Sequence, residues 1–256
     1  MAEKVNVHFV GAGPGAEDLI TVRGMRLLSE ADVVIYAGSL VNPKLLDYAP
    51  GAEHVNSAAL TLEEVITRTR EAVEQGKTVV RLHTGEPSLY GAVKEQMREL
   101  DRLGIGYDSC PGVSACFGAA ASMDLEYTLP GVSQSLIITR MQGRTAVPER
   151  ESIRSFAAHG ASMAIYLSTT LLKELTEELV AGGFARTTPA AIVYKATWPE
   201  EKVCRCTVGT LAETAEENGI RKTAVILVGE AVAAETFEES RLYAPDFSTE
   251  YRKAKE

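Results

Sequence analysis

The sequence predicts an α/β protein made of two α/β domains. Two observations carry this. Strand-like and helix-like periods alternate through the first half, the pattern of βαβ units and a mostly parallel sheet. The apolar runs at residues 5–10 and 78–83 each end in a glycine-bearing loop, and open α/β sheets hold ligands outside the carboxyl ends of their strands.

Taken in order, residues 5–10 form a short apolar strand that runs into the turn Gly11 to Gly15. Residues 21–31 read as a helix with Leu27, Leu28 and Ala31 inward, and residues 32–36 as a second strand. Thr61 opens a longer helix. Thr61 and Glu64 have capping-box spacing, Val65, Ile66, Thr69, Ala72 and Val73 form one stripe, and Gly76 stops it. Residues 78–83 are the third strand, leading into Gly85-Glu86-Pro87. Val93, Met97, Leu100 and Leu103 mark another helix closed by Gly104, and residues 105–109 are the next strand.

The second half is also α/β but less regular. Residues 135–140, 163–167, 190–196, 202–208 and 224–229 read as strands, and 171–180 and 211–218 as helices. Only Trp198-Pro199-Glu200-Glu201 and its neighbours separate two of these strands, a spacing that suggests an antiparallel hairpin. Asp, Pro and Gly punctuate residues 123–131. The expected division is a domain over 1–123, a second over 124–237 and a loosely held charged tail over 238–256.

A net charge of −9 argues against a general nucleic-acid surface, which needs a basic footprint. The cysteines Cys110, Cys116, Cys204 and Cys206 contain no CxxC pair and read as reduced, half-buried small residues. His8, His54, His83 and His159 form no ligand cluster, so no metal is expected. There is no signal-peptide pattern and no apolar run long enough to span a bilayer, which makes the cytoplasm the expected compartment.

Gly11-Ala12-Gly13-Pro14-Gly15-Ala16 fits the G-x-G-x-x-A dinucleotide fingerprint. Two features oppose NAD or FAD there. Pro14 removes an amide and Glu17-Asp18 would repel a diphosphate. The acid that binds ribose should close the second strand, yet Asp32 opens it. A tight turn with no ligand role is the other competing reading.

The motif does not stand alone. Val10-Gly11-Ala12-Gly13-Pro14-Gly15, followed by Asp18-Leu19-Ile20-Thr21 and Gly24, resembles the opening signature of the tetrapyrrole methyltransferases. The run from Arg81 through His83-Thr84-Gly85-Glu86-Pro87 to Gly91 is similar to their second signature, and Pro111-Gly112-Val113-Ser114-Ala115 to their third. Pro189 to Val193 with Ala196-Thr197 and Pro199, then residues 225–229, resemble the C-terminal blocks. The blocks cover residues 5–232 in order. Tyr36-Ala37-Gly38-Ser39-Leu40-Val41, His83-Thr84-Gly85 and Thr139-Arg140 with Gly143-Arg144-Thr145 most resemble the precorrin-4 C11-methyltransferase branch. One departure is Glu86, where the family usually has Asp.

The resemblance implies a tetrapyrrole methylase fold: two α/β domains with the cofactor in the cleft between them. It implies S-adenosylmethionine as methyl donor, S-adenosylhomocysteine as product, a precorrin as substrate, and a homodimer. It places the cofactor against Pro14, Thr84, Gly85, Glu86, Leu89, Ser114, Ala115, Leu167, Ala196, Thr223 and Ala224. Singly, each has a plainer reading: Gly85 and Gly91 as turns, Leu167 as core, Ser114 as the cap of a helix over 115–123. A tetrapyrrole bears several carboxylates, for which Arg140, Arg144, Arg150 and Lys195 are the candidate cations. No general base stands out among Glu86, His83 and Tyr90.

Rival readings place the methyl at C1, C17 or C20, or make the chain an NAD-dependent oxidoreductase or a non-catalytic cofactor-binding module. Diphthine synthases and ribosomal-RNA methyltransferases share the architecture; the acidic charge opposes RNA. A leucine face, Leu171, Leu172, Leu175 and Leu179, is expected either in the core or at a subunit contact.

Overall fold

A computed structural model describes residues 5–254. By internal contacts the chain forms two compact units. The first runs to Gly118 and takes in Lys195–Glu201; the second comprises Ala119–Tyr194 and the chain from Lys202 onward.

The first unit is a five-stranded parallel sheet. Its strands are β1 (Val5–Gly11), β2 (Val33–Tyr36), β3 (Glu53–Asn56), β4 (Val79–His83) and β5 (Gly106–Cys110), in the spatial order β3-β2-β4-β1-β5. From the adjacent strands β1 and β4 the chain leaves in opposite directions, to β2 on one side and β5 on the other. That reversal is the switch point at which doubly wound sheets hold ligands.

Helices cover both faces, so β4 is buried at all five positions. One face packs Val10, Val80 and Leu82 with Leu28 of α1 (Val22–Ser29) and Leu45. The other packs Val7, Phe9 and Ile35 with Val65 of α2 (Leu62–Glu74) and Leu100 of α3 (Val93–Leu103). The Thr61 capping box forms, with Glu64 Oε2 accepting the Thr61 amide at 2.7 Å and Thr61 Oγ1 the Glu64 amide at 3.3 Å. Gly104 ends α3 in the left-handed conformation, as expected from sequence. The short helix α4 (Ala115–Ala121) follows β5.

The second unit departs from the parallel pattern. Its strands are β6 (Leu136–Arg140), β7 (Ser162–Tyr166), β8 (Pro189–Tyr194), β9 (Lys202–Thr207) and β10 (Ala224–Val228), in the order β6-β7-β10-β8-β9. Only β6 and β7 are parallel; β10 pairs antiparallel with β7 and β8, and β8–β9 is the predicted hairpin. Three helices complete it: α5 (Ile153–Ala157), α6 (Leu172–Ala181) and α7 (Leu211–Glu217). Leu172, Leu175 and Leu179 of α6 sit in the core with Ile192 and Ile226, so that leucine face is core.

None of the four cysteines forms a disulfide; Cys110 and Cys116 are buried and Cys204 and Cys206 half-buried. Within the tail the Arg252 guanidinium donates to the carbonyls of Tyr243, Ala244 and Phe247. Among the described residues no helix is long and apolar enough to cross a membrane.

Candidate active site

Three loops meet at the C-terminal ends of β1, β4 and β5. The Ala12 amide donates to the His83 carbonyl at 2.7 Å, and Gly13 and Gly85 exchange main-chain bonds of 2.9 and 3.3 Å. A Cβ on Gly11 would come 2.6 Å from the Gly112 Cα, and one on Gly112 would come 2.2 Å from the Gly85 carbonyl oxygen. This is backbone against backbone with no side chain to move, so both positions require glycine.

Glu86 fastens the same crossing. One carboxylate oxygen accepts the Ser88 amide at 2.9 Å and the other the Gly112 amide at 2.8 Å. Burial alone would raise this carboxyl, but the two amide bonds outweigh it and hold it below the usual carboxylate range. Both oxygens are committed to the main chain, so the Glu86 carboxylate is a brace between loops.

The other first-unit candidates gather around this crossing. A Cβ on Gly85 would sit 3.8 Å from the Ser114 Cα and 3.9 Å from the Ala115 nitrogen, which leaves a shallow cradle lined by main chain. Ser114 is buried, Ala115 half-buried, Thr84 exposed, and Leu89 half-buried with its amide on the Glu86 carbonyl. Pro14 is buried against Gly118, and its carbonyl accepts the Trp198 indole N–H at 3.0 Å. Ala196 is buried in the connection between β8 and β9, with its carbonyl against Gly15. Eight of the eleven cofactor candidates thus belong to the first unit.

The remaining three lie at one end of the second sheet. Ile165 of β7 faces Ile226 of β10 in antiparallel register, which carries Leu167 and Ala224 to the same end; Thr223 immediately precedes Ala224. Leu167 is 69% exposed, so it is not core. Arg140 pairs with Tyr166 and reaches that end too. Its guanidinium donates to the carbonyls of Met141, Thr145 and Ala146, which shapes the loop carrying Arg144. Arg144 is exposed, Arg150 is exposed beside Glu151, and the Lys195 ammonium lies 3.3 Å from Glu200.

Seven described non-glycine residues have positive φ: Tyr90, Ala92, Asp124, Leu167, Lys195, Thr197 and Thr223. All but Asp124 lie in these segments. Such backbone costs on the order of 1–3 kcal/mol per residue and persists only where the surrounding structure over-determines it.

Beneath the loops, β4 buries two ionisable groups. The Arg81 Nε–H donates to Gln96 and a terminal N–H to the Ile35 carbonyl, both at 3.0 Å; Gln96 in turn donates to the Ala92 carbonyl. Burial lowers the guanidinium to about 10, which leaves it charged. Burial, with the Arg81 charge, pushes His83 down to about 3, so its ring is neutral at pH 7. The His83 Nε2 has no partner among the described residues.

Sequence reasoning passed over Trp198 as a connector and did not single out Asn42. The signals available were a lone tryptophan in a polar loop and an Asn before a Pro. Asp32, weighed as a ribose ligand, accepts the Thr78 amide at 2.8 Å instead, at the N-terminal end of the sheet. Among the described residues no group of His, Cys, Asp or Glu is arranged to hold a metal ion.

Comparison with known proteins identifies the family. The sequence profile of the tetrapyrrole (corrin/porphyrin) methylases matches residues 6–212. The chain is 51% identical to the cobalt-precorrin-4 C(11)-methyltransferase of Methanocaldococcus jannaschii, over 97% of this chain and 96% of that protein. A crystallised cobalt precorrin-4 methyltransferase, a cobalamin biosynthetic enzyme, superposes with a TM-score of 0.86 at 46% identity, over 89% of this chain and 96% of the other. The uroporphyrin-III C-methyltransferase of Thermus thermophilus in complex with S-adenosylhomocysteine superposes with a TM-score of 0.74 at 28% identity, over 89% and 98%. The chain belongs to the tetrapyrrole methyltransferase family.

Proposed function

We propose that this protein transfers a methyl group from S-adenosylmethionine to C11 of precorrin-4 or cobalt-precorrin-4 in cobalamin biosynthesis. The observation that carries the reading is the 51% identity, over nearly the whole of both chains, to a protein named for that reaction. Methyl transfer at another ring position, or hydride chemistry with NAD, lacks such support.

S-adenosylmethionine supplies a methyl group that is already electrophilic, so the protein's work is alignment and exclusion of water. We assign Pro14, Thr84, Gly85, Glu86, Leu89, Ser114, Ala115 and Ala196 of the first unit, and Leu167, Thr223 and Ala224 of the second, to holding it. These residues fit such a ligand. The Gly85 cradle offers main chain without a side chain in the way, and the exposed left-handed Leu167 presents an apolar surface. Glu86 acts by bracing the loops, and the nucleophilic carbon draws its electron density from the substrate's own conjugated system. Arg144 and Lys195 are assigned to substrate carboxylates, with Arg140 shaping the Arg144 loop. The protein works in the cytoplasm as a homodimer, and its net charge of −9 disfavours nucleic acid as a partner.

The test is calorimetric titration with S-adenosylhomocysteine and, in parallel, NAD, followed by turnover assays on precorrin-4 with and without cobalt. Saturable binding of the thioether, none of NAD, and a product methylated at C11 are expected. Binding of NAD alone sinks the proposal.

A further inference from the structure

The connection between β8 and β9 is flanked by second-unit strands, yet it packs into the first unit and grips the glycine turn of β1. Three bonds fix three successive residues of that turn. The Trp198 indole N–H donates to the Pro14 carbonyl at 3.0 Å, Asn42 Nδ2 donates to the Gly15 carbonyl at 2.8 Å, and the Ala16 amide donates to Thr197 Oγ1 at 3.0 Å. The indole also occupies the space a side chain at position 15 would need: a Cβ on Gly15 would lie 2.1 Å from Trp198 Cδ1.

The connection is itself held rigid. The Lys195 ammonium sits 4.8 Å from the centre of the Trp198 ring, and the Thr197 amide donates to Glu201 at 2.5 Å. Lys195 and Thr197 are both left-handed, at φ 47 and 67, and a β-branched threonine is a rare occupant of that region. The fold sustains this geometry at a turn whose neighbour Pro14 is assigned to the cofactor.

We infer that Trp198 and Thr197 are positioning residues for the cofactor: they hold the Pro14–Gly15–Ala16 turn in its binding shape without touching the reacting atoms. This rests on the methyltransferase reading above. Because Trp198 is the single tryptophan of the chain, its emission is also a direct reporter of occupancy at that turn.

The experiment compares the full-length wild type with Trp198→Phe, which keeps an aromatic ring and loses the N–H donor. For each, the S-adenosylhomocysteine Kd is measured by calorimetry, KM for S-adenosylmethionine and kcat by turnover, and Tm by melting. Wild-type tryptophan emission is followed during the titration. The expected result is a Kd and KM raised about five- to tenfold, the worth of roughly one net hydrogen bond, with kcat within twofold and Tm nearly unchanged. A titratable change in wild-type emission is expected alongside.

A Trp198→Phe protein with wild-type Kd and KM overturns the inference and leaves the function standing. A wild type that binds no S-adenosylhomocysteine overturns both. Should Trp198→Phe fail to fold, the pair Thr197→Ala and Thr197→Ser decides. Weaker binding in the alanine variant, restored in the serine variant that keeps the acceptor oxygen, supports the role. Wild-type affinity in both variants overturns it.

Discussion

The Glu86 carboxylate accepts one amide from its own turn and one from the loop after β5. A carboxamide there keeps one acceptor oxygen and turns an NH2 group toward the other amide. Glu86→Gln is therefore expected to cost about 1–3 kcal/mol and to weaken S-adenosylhomocysteine binding, read by urea unfolding and calorimetry at pH 7. An unchanged unfolding midpoint would reject the bracing role. Because this carboxyl is held below its ordinary value, the brace is complete above the unfolded pKa of 4.5 and is lost as pH falls through the folded one. At this scale the motifs contained the first-unit residues that meet at the crossing but not what brings them together. Gly11, Gly85 and Gly112 stand in separate motifs, and their mutual contact exists only after β1, β4 and β5 are neighbours. Trp198 carried no periodic or motif signal, because its partners lie 184 residues upstream at Pro14.

Among the elements, α2 offers the simplest test, since its capping box is solvent-exposed and includes none of the residues assigned to the site. Thr61→Ala is expected to destabilise the protein by about 1 kcal/mol while leaving methyl transfer intact; thermal melting and a turnover assay check it. The elements legible in the sequence were those with apolar period and marked ends, such as α2 and α3. The strand β3 was not, because Glu53-His54-Val55-Asn56 is a polar edge strand with a single half-buried position to betray it. The helix α5 spans five residues, too few for a helical period to declare itself. The antiparallel pairings of β10 also stayed hidden. A buried strand such as Ala224–Val228 is apolar on both faces and says nothing about the direction of its neighbours.

For the molecule as a whole, acid stability follows from His83. Its folded value is about 3 against 6.5 when exposed, so the unfolded chain takes up the proton first. The stability this contributes is complete above pH 6.5 and declines by roughly 1.4 kcal/mol per pH unit as pH drops toward 3. Urea unfolding from pH 7 to 4 is expected to show a shallower acid slope for His83→Gln than for wild type. Equal slopes would refute the assignment. The routing of the chain has a consequence for how the molecule is made. The polypeptide leaves the first unit at Gly118 and returns to it only for Lys195–Glu201. At ribosomal speeds of about 5–20 residues per second, Trp198 follows Gly118 by roughly 4–16 s. The nascent N-terminal half therefore waits with its glycine turn held by Asn42 but without the Trp198 and Thr197 bonds until most of the message has been translated, and no truncation at a single boundary reproduces the finished unit.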